Sequence, residues 1–343
     1  MRLEPKAVLW LATGMADHRD TLLLPFERDL LSAGSRAVFL NADVLPSGDC
    51  FSDTHLVCEQ GFKPSHNALL EAGYDTSPHL PEPLDQAADA ALILAHRSRA
   101  INEINFERGW NMVRPGGTVV FCGAKKSGVQ SQRKWVASWT EVEGSLSKNH
   151  AQVFWTRRGD MDRTIAARET TVGPYRIGPG MFSHQGPDKA SEILVQAFDD
   201  RIYGRVADFG AGWGYLTCEL LKRCERIEAV ELYEADYASL EASKRHLAAH
   251  DNCQFFWCDL LSEAPRKPFD WVIMNPPFHQ GRAADPAIGT TFIENAARTL
   301  PSGGRLLLVA NINLPYERTL SDLFRSVRRL TERDGFKVLE AVR

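Results

Sequence analysis

The seven cysteines are scattered through 343 residues without a CxxC pair. No His-rich cluster accompanies them, so no metal site is expected. An odd count also argues against a disulfide framework, and free thiols packed as small hydrophobes suit a reducing compartment. No apolar run reaches the length of a membrane span. The N-terminus lacks a basic region followed by an apolar run and a small-residue cleavage site, so a cytoplasmic protein is expected. Net charge is nearly absent too, at −4, which argues against indiscriminate binding of nucleic acid. That small total hides an uneven distribution. Residues 1–96 carry 6 basic and 14 acidic side chains, residues 97–168 carry 13 and 6, and the remainder 21 and 24, for nets of −8, +7 and −3. A basic middle section in an acidic chain points to a focused anionic contact.

What is present is a strand-ending motif. Phe269 to Met274 reads as a buried strand, and two prolines cannot continue it. Asn275-Pro276-Pro277-Phe278 therefore turns out of the sheet at its carboxyl edge. The Asn275 side chain and the Pro276 carbonyl are two acceptors able to grip a planar amino group, and Phe278 is placed to stack on the ring that carries it. Pro277 completes the turn.

Upstream, the strand Val206 to Phe209 leads into Asp208-Phe209-Gly210-Ala211-Gly212-Trp213-Gly214. Gly210, Gly212 and Gly214 let the backbone approach a ligand that any Cβ would obstruct. The spacing is GxGxG, not the GxGxxG of dinucleotide enzymes. Glu231 is read as ending the next strand, where an acid accepts from ribose hydroxyls, and Asp259 closes the third strand beside the adenine position. Glycine loop, Glu231, Asp259 and Asn275 follow in order at successive strand ends, which gathers them at one edge of a parallel sheet. The set reads as methyl transfer from S-adenosylmethionine to a planar nitrogen. Positioning supplies much of such a reaction; His279 is the neighbouring candidate for taking the released proton.

The length allows two domains. The second half alternates strands and helices: a helix at Tyr215 to Cys224, a strand at Ile227 to Leu232, a helix at Ala235 to Ala249 and a strand at Gln254 to Cys258. A helix at Thr291 to Thr299 and a strand at Arg305 to Asn311 follow, with Phe336 to Val342 as a closing edge strand. The first half echoes it. Val113-Arg114-Pro115-Gly116-Gly117 before Thr118 to Cys122 parallels Leu300-Pro301-Ser302-Gly303-Gly304 before Arg305 to Val309, and Asp89 to Leu94 parallels Asp270 to Met274. The first copy has no glycine-rich loop, and His96-Arg97-Ser98-Arg99 stands where Asn-Pro-Pro-Phe would be. The expected fold is α/β: two tandem Rossmann-like methyltransferase domains arising by duplication, residues 1–165 and 166–343, the N-terminal one degenerate. Gly159 to Gly180 reads as the connection.

Asn275 to Gly281 behind the glycine loop resembles the bacterial ribosomal RNA small subunit methyltransferase C family, and is similar to the large-subunit methyltransferase G. Further matches are Pro179-Gly180-Met181-Phe182-Ser183 with Asp188 and Ser191, Leu314-Pro315-Tyr316, Phe336-Lys337-Val338, and Gly123 to Val129. Ala190 departs from the pattern, since relatives commonly have glycine there. The resemblance implies two methyltransferase-like domains with only the second binding cofactor, a Phe182-Ser183 segment closing over it, and methylation of guanine N2 in ribosomal RNA.

The cations of the basic section, Lys125, Lys126, Arg133, Lys134, Arg157 and Arg158, are then candidates for holding RNA phosphates while the pocket reads the base. Trp135 and Trp139, four apart, are expected on one helix face in the core. The expected partner is ribosomal RNA or the small ribosomal subunit, bound by a monomer. Residue chemistry alone leaves N6-adenine methylation, large-subunit guanine methylation, protein-glutamine methylation and a non-catalytic RNA-binding assembly factor as alternatives.

Overall fold

Glycine and aspartate set the start of two sheets. Gly34 and Gly204 take positive φ, 70° and 71°, and a side chain at either would collide with Asp89 or Asp270. Each aspartate accepts from an N–H at the start of a strand, Arg36 to Asp89 at 3.2 Å and Arg205 to Asp270 at 2.8 Å. The computed structural model describes residues 18–46, 50–165, 168–265, 268–277 and 286–343, with the backbone of 279–280 and 283–284. It divides into two compact units, Met1–Glu59 with Leu69–Ala166, and Gln60–Ala68 with Ala167–Arg343.

The first unit holds α1 (His18–Glu27), β1 (Arg36–Leu40), β2 (His55–Glu59), the end of α2 (Lys63–Glu71), β3 (Asp75–Ser77), β4 (Ala88–Leu94), α3 (Arg99–Met112), β5 (Val113–Ala124), α4 (Val129–Ala137), β6 (Gly144–Lys148) and β7 (Ala151–Arg157). The second opens with a hairpin, β8 (Thr170–Val172) and β9 (Tyr175–Ile177), followed by α5 (Lys189–Val195). Its main elements are β10 (Gly204–Phe209), α6 (Tyr215–Arg223), β11 (Ile227–Glu234), α7 (Tyr237–His246), β12 (Cys253–Trp257) and β13 (Trp271–Met274). A short pair, β14 (His279–Gln280) and β15 (Ala283–Ala284), precedes α8 (Pro286–Thr299), β16 (Arg305–Asn311), α9 (Tyr316–Leu323), β17 (Ser326–Arg333) and β18 (Phe336–Val342).

The sheets run β3-β2-β1-β4-β5-β7-β6 and β12-β11-β10-β13-β16-β18-β17. Ranked within its own sheet, each is third-second-first-fourth-fifth-seventh-sixth. In both, five strands are parallel and the next runs antiparallel. That identity of order and direction is the duplication expected from the sequence. The register aligns the copies residue by residue: Thr118 lies opposite Ala90, and Arg305 opposite Trp271. Leu94, buried at 2 % exposure, thus takes the place of Asn275, and Ala95 to Arg97 those of Pro276 to Phe278. The expected equivalence at His96 to Arg99 is therefore shifted. Where Gly210 follows β10, Asn41 follows β1, with φ 52° against 73°.

Each sheet is covered on both faces by apolar layers, one holding Val206, Trp213 and Leu216 and its counterpart Phe209, Ile293 and Leu308. Trp135 and Trp139 lie 5.5 Å apart and pack half-buried against the first unit's core beside Phe106, but they do not share a helix face, since α4 ends at Ala137 before Trp139. Phe336 to Val342 is an inner strand, a correction to the sequence reading: β17 forms the edge, and its charges (Arg328, Arg329, Glu332, Arg333) suit an edge that must resist further pairing. The helix expected from Ala235 starts later, because Asp236 caps it by accepting from the Ser239 N–H at 2.8 Å. Among the described residues no helix is long and apolar enough to cross a membrane.

Candidate active site

The glycine loop is shaped from beneath by Asp208. Its carboxyl is fully buried and accepts from Thr217 Oγ1, in the first turns of α6, at 2.7 Å. Asp208 thus ties loop to helix through Oδ2, while its Oδ1 is buried without a hydrogen-bond partner among the described residues. Gly210, Gly212 and Gly214 all have positive φ. A Cβ at Gly210 would lie 3.4 Å from the Phe292 ring and 3.9 Å from Pro277 Cδ, so the loop runs beside the Asn-Pro-Pro turn. At Gly214 it would press on Ser243 at 3.0 Å. At Gly212 it would enter open space, the side from which a nucleoside can approach the backbone. The loop therefore fits a cofactor of this size and chemistry.

The acids differ from expectation. Glu231 lies inside β11, buried, with Oε1 accepting from Arg205 at 2.8 Å and Oε2 from the Tyr233 hydroxyl at 2.6 Å. The acid that ends β11 is Glu234. Its Oε2 accepts from the Gly212 N–H at 2.7 Å and its Oε1 from the Asp236 N–H at 2.8 Å. Glu234, not Glu231, adjoins the glycine loop. Asp259 follows β12 and is tied into its own turn, accepting from Leu261 N–H at 2.9 Å and Ser262 Oγ at 2.7 Å.

Burial pushes the carboxyls of Asp208 and Glu234 up to about 7, against the lowering effect of their hydrogen bonds. Both therefore hold protons in the folded chain that the unfolded chain has already released. Their contribution to stability is complete at acid pH and is lost as pH rises through about 7. Asp208→Asn, which keeps an acceptor for Thr217, is expected to flatten the fall in melting temperature between about pH 4 and 7. Parallel profiles for wild type and variant would disprove the shift.

Asn275 leaves β13 where the prolines stop the ladder. Its Nδ2 donates to Asp188 Oδ2 and to Ser191 Oγ, both at 2.9 Å. Asp188 is itself fixed as the N-cap of α5, accepting from the Ser191 N–H at 3.2 Å. A carboxylate oxygen can only accept, so the amide nitrogen must face it. Both amide hydrogens are consumed there, and Oδ1 is left as an acceptor. Asp188 and Ser191 are positioning residues for which spacing gave no role. Ala190, buried in the first turn of α5, suits a helix better than the glycine of relatives.

Phe182 is 56 % exposed, next to Ser183 at φ 54°, while its neighbour Met181 is buried. Phe278 and the side chain of His279 lie outside the described residues. In the first unit, Lys125 and Lys126 follow β5, and Arg133 and Lys134 lie on α4, all four exposed. Arg157 sits opposite Thr118, at the other end of β5 from Ala124, roughly 20 Å along the strand from the lysines. It pairs with Glu143 at 3.0 Å. Arg158 is 9 % exposed and is held by Asp162 and the Val113 carbonyl. The six cations thus do not form one patch, and Arg158 is removed from the phosphate-binding set. Arg97, exposed after β4, stands at the same sheet edge as Lys125 and Lys126 and was not singled out by its spacing. Among the described residues no group of three or more His, Cys, Asp or Glu side chains is placed to hold a metal.

Residues 175–340 match the methyltransferase small domain. The ribosomal RNA small subunit methyltransferase C of Stutzerimonas stutzeri is 32% identical over 243 residues, 67% of this chain and 72% of that protein. The protein of the same name from Shewanella halifaxensis is 26% identical across 92% of this chain and 96% of its own. A T. thermophilus 16S rRNA N2 methyltransferase solved with AdoMet and guanosine superposes with a TM-score of 0.79 over 96% of this chain and 93% of its own, at 24% identity, a likeness of fold.

Proposed function

The chain belongs to the ribosomal RNA small subunit methyltransferase C family, and from that membership we propose that it transfers a methyl group from S-adenosylmethionine to the exocyclic N2 of a guanine in 16S ribosomal RNA. The observation that carries this reading is the orientation of Asn275, locked by Asp188 and Ser191 with its amide oxygen as the remaining acceptor. An exocyclic amino nitrogen is a weak nucleophile because its lone pair is delocalised into the ring. Asn275 Oδ1 and the Pro276 carbonyl accept its two hydrogens, favour a pyramidal nitrogen and aim the lone pair. Bound S-adenosylmethionine supplies an electrophilic methyl on a sulfonium. Transfer would break the sulfonium–methyl bond as the N–C bond forms, leaving the neutral thioether S-adenosylhomocysteine, and the surplus proton on the nitrogen would pass to water. Gly210 to Gly214 cradle the cofactor, Glu234 takes its ribose hydroxyls, Asp259 lies by the adenine, and Phe182 closes over it.

The catalytic domain on this reading is residues 166–343 with Gln60 to Ala68, and the remainder of residues 1–165 docks the RNA through Arg97, Lys125, Lys126, Arg133 and Lys134. A ribosomal substrate places the protein in the cytoplasm. Labelled methyl transfer to unmodified small subunits and to free RNA, followed by nucleoside analysis, tests the assignment. N2-methylguanosine is the expected product; N6-methyladenosine, or label only in protein, would overturn it. In the same assay, Lys125→Glu with Lys126→Glu should weaken substrate binding and flatten its salt dependence, because fewer counterions are released. An unchanged salt slope would remove those lysines from the RNA contact.

A further inference from the structure

The segment after the second strand of each repeat occurs twice, and its two copies hold each other. In the second half Glu234 Oε1 accepts from the N–H two residues on, that of Asp236, at 2.8 Å. In the first half Gln60 Oε1 accepts from the Phe62 N–H at 2.9 Å, the same offset. The backbone agrees: Ala211 N–H donates to the Tyr233 carbonyl as Ala42 N–H donates to that of Glu59. Gln60 therefore occupies the position of Glu234, a neutral amide where the second copy keeps an acid. Gly61, Phe62 and Lys63 correspond to Ala235, Asp236 and Tyr237.

These equivalent triplets pair antiparallel about Phe62 and Asp236. Lys63 N–H donates to the Ala235 carbonyl and Tyr237 N–H to that of Gly61, both at 2.9 Å. Trp257, the last residue of β12, spans the junction: its Nε1–H donates to Ala235 O at 2.8 Å and to Gly61 O at 3.2 Å. The Lys63 ammonium sits 4.2 Å above the indole, and His66 packs edge-on at 4.7 Å. The latch thus grips the chain directly after Glu234 and, through Trp257, directly before Cys258 and Asp259.

We infer that Gly61 to Lys63 and Trp257 are positioning residues for the cofactor, acting through Glu234 and Asp259, so that the cofactor pocket draws on both halves of the sequence. This rests on the assignment of those acids to S-adenosylmethionine. The physical reason is ordering. A strand-end loop left free must lose conformational entropy when ligand binds, and the latch fixes it beforehand.

Two full-length variants test this. Trp257→Phe keeps an aromatic ring and deletes the Nε1–H; Lys63→Pro deletes a backbone donor at the first position of α2, where proline is tolerated. Folding is checked by cooperative melting. Calorimetric titration without RNA should show each folded variant binding S-adenosylmethionine roughly fivefold more weakly, the loss of one net hydrogen bond, with the defect concentrated in KM for the cofactor and not in kcat. An analogue lacking the ribose 2′-hydroxyl, already short of a Glu234 contact, should be weakened less. Equal binding by wild type and folded variants, or equal weakening of both ligands, would overturn the latch. Failure of the wild type itself to bind S-adenosylmethionine would instead overturn the cofactor assignment and the latch with it.

Discussion

Replacing Asn275 by Ala is expected to lower methyl transfer by more than ~10²-fold, the scale of losing a hydrogen-bond contact made in the transition state, with RNA binding little changed. The geometry makes the prediction finer than removal of one acceptor. Asn275→Asp keeps two oxygens in place yet should fail as well. It deletes both donors and sets a second carboxylate against Asp188, where the amide nitrogen now lies at 2.9 Å, and like charges so close cannot both ionise freely. Asp188→Ala leaves the chemical group intact but releases its orientation, so an intermediate loss on the order of tenfold is expected, since small misplacements are costly in positioned reactions. Single-turnover rates at saturating cofactor distinguish the three. Wild-type turnover by a folded Asn275→Ala protein would end the amino-clamp assignment. If Asp188→Ala alone were silent, the amide would be held by Ser191.

The second large effect concerns the cofactor. Gly212→Val combines two penalties: a β-branched residue at φ 56°, and a side chain in the open space beside the loop. Strain alone at such a position costs about 1–3 kcal/mol, so S-adenosylmethionine affinity should fall by ~10²-fold or more. Glu234→Ala should weaken binding by roughly 10- to 100-fold, the loss of about two net hydrogen bonds to the ribose hydroxyls. Glu231→Ala should spare affinity and lower thermal stability instead, because that side chain ties Arg205 to Tyr233. Calorimetry on the three proteins decides the matter. A Glu231→Ala defect equal to that of Glu234→Ala would restore Glu231 as the ribose acid.

The contrast between these two glutamates shows where sequence pattern stops. Both follow apolar residues on one strand, and alternation cannot say which is last. The strand end is fixed by Asp236, whose cap on α7 ends the ladder at Glu234, and a cap two residues downstream is visible only once the helix start is known. The glycine loop and Asn-Pro-Pro turn were legible because their chemistry is local: prolines end a strand and glycines open a backbone wherever they stand. Ser326 to Arg333 was not, since an edge strand exposed on one side and rich in charge has little apolar alternation to detect. Arg158 was misread for the opposite reason. A cation count cannot see that a guanidinium is spent on Asp162 and on the Val113 carbonyl. Asp188 and Ser191 carried a family pattern but no mechanism until Asn275 was seen between them and the prolines.

The pairing of Gly61 to Lys63 with Ala235 to Tyr237 also sets a timetable. Synthesis delivers the first segment long before its counterpart, and at ~5–20 residues per second the two emerge on the order of ten seconds apart. During that interval the first sheet can close, since its seven strands are complete by Arg157. Phe62, Lys63 and His66 meanwhile have nothing to grip. Ordering of the turn at Glu234 thus waits on synthesis of the second repeat, and a ribosome that stalls after the first leaves behind a completed seven-stranded sheet whose Gly61 to Lys63 ribbon has not met its counterpart.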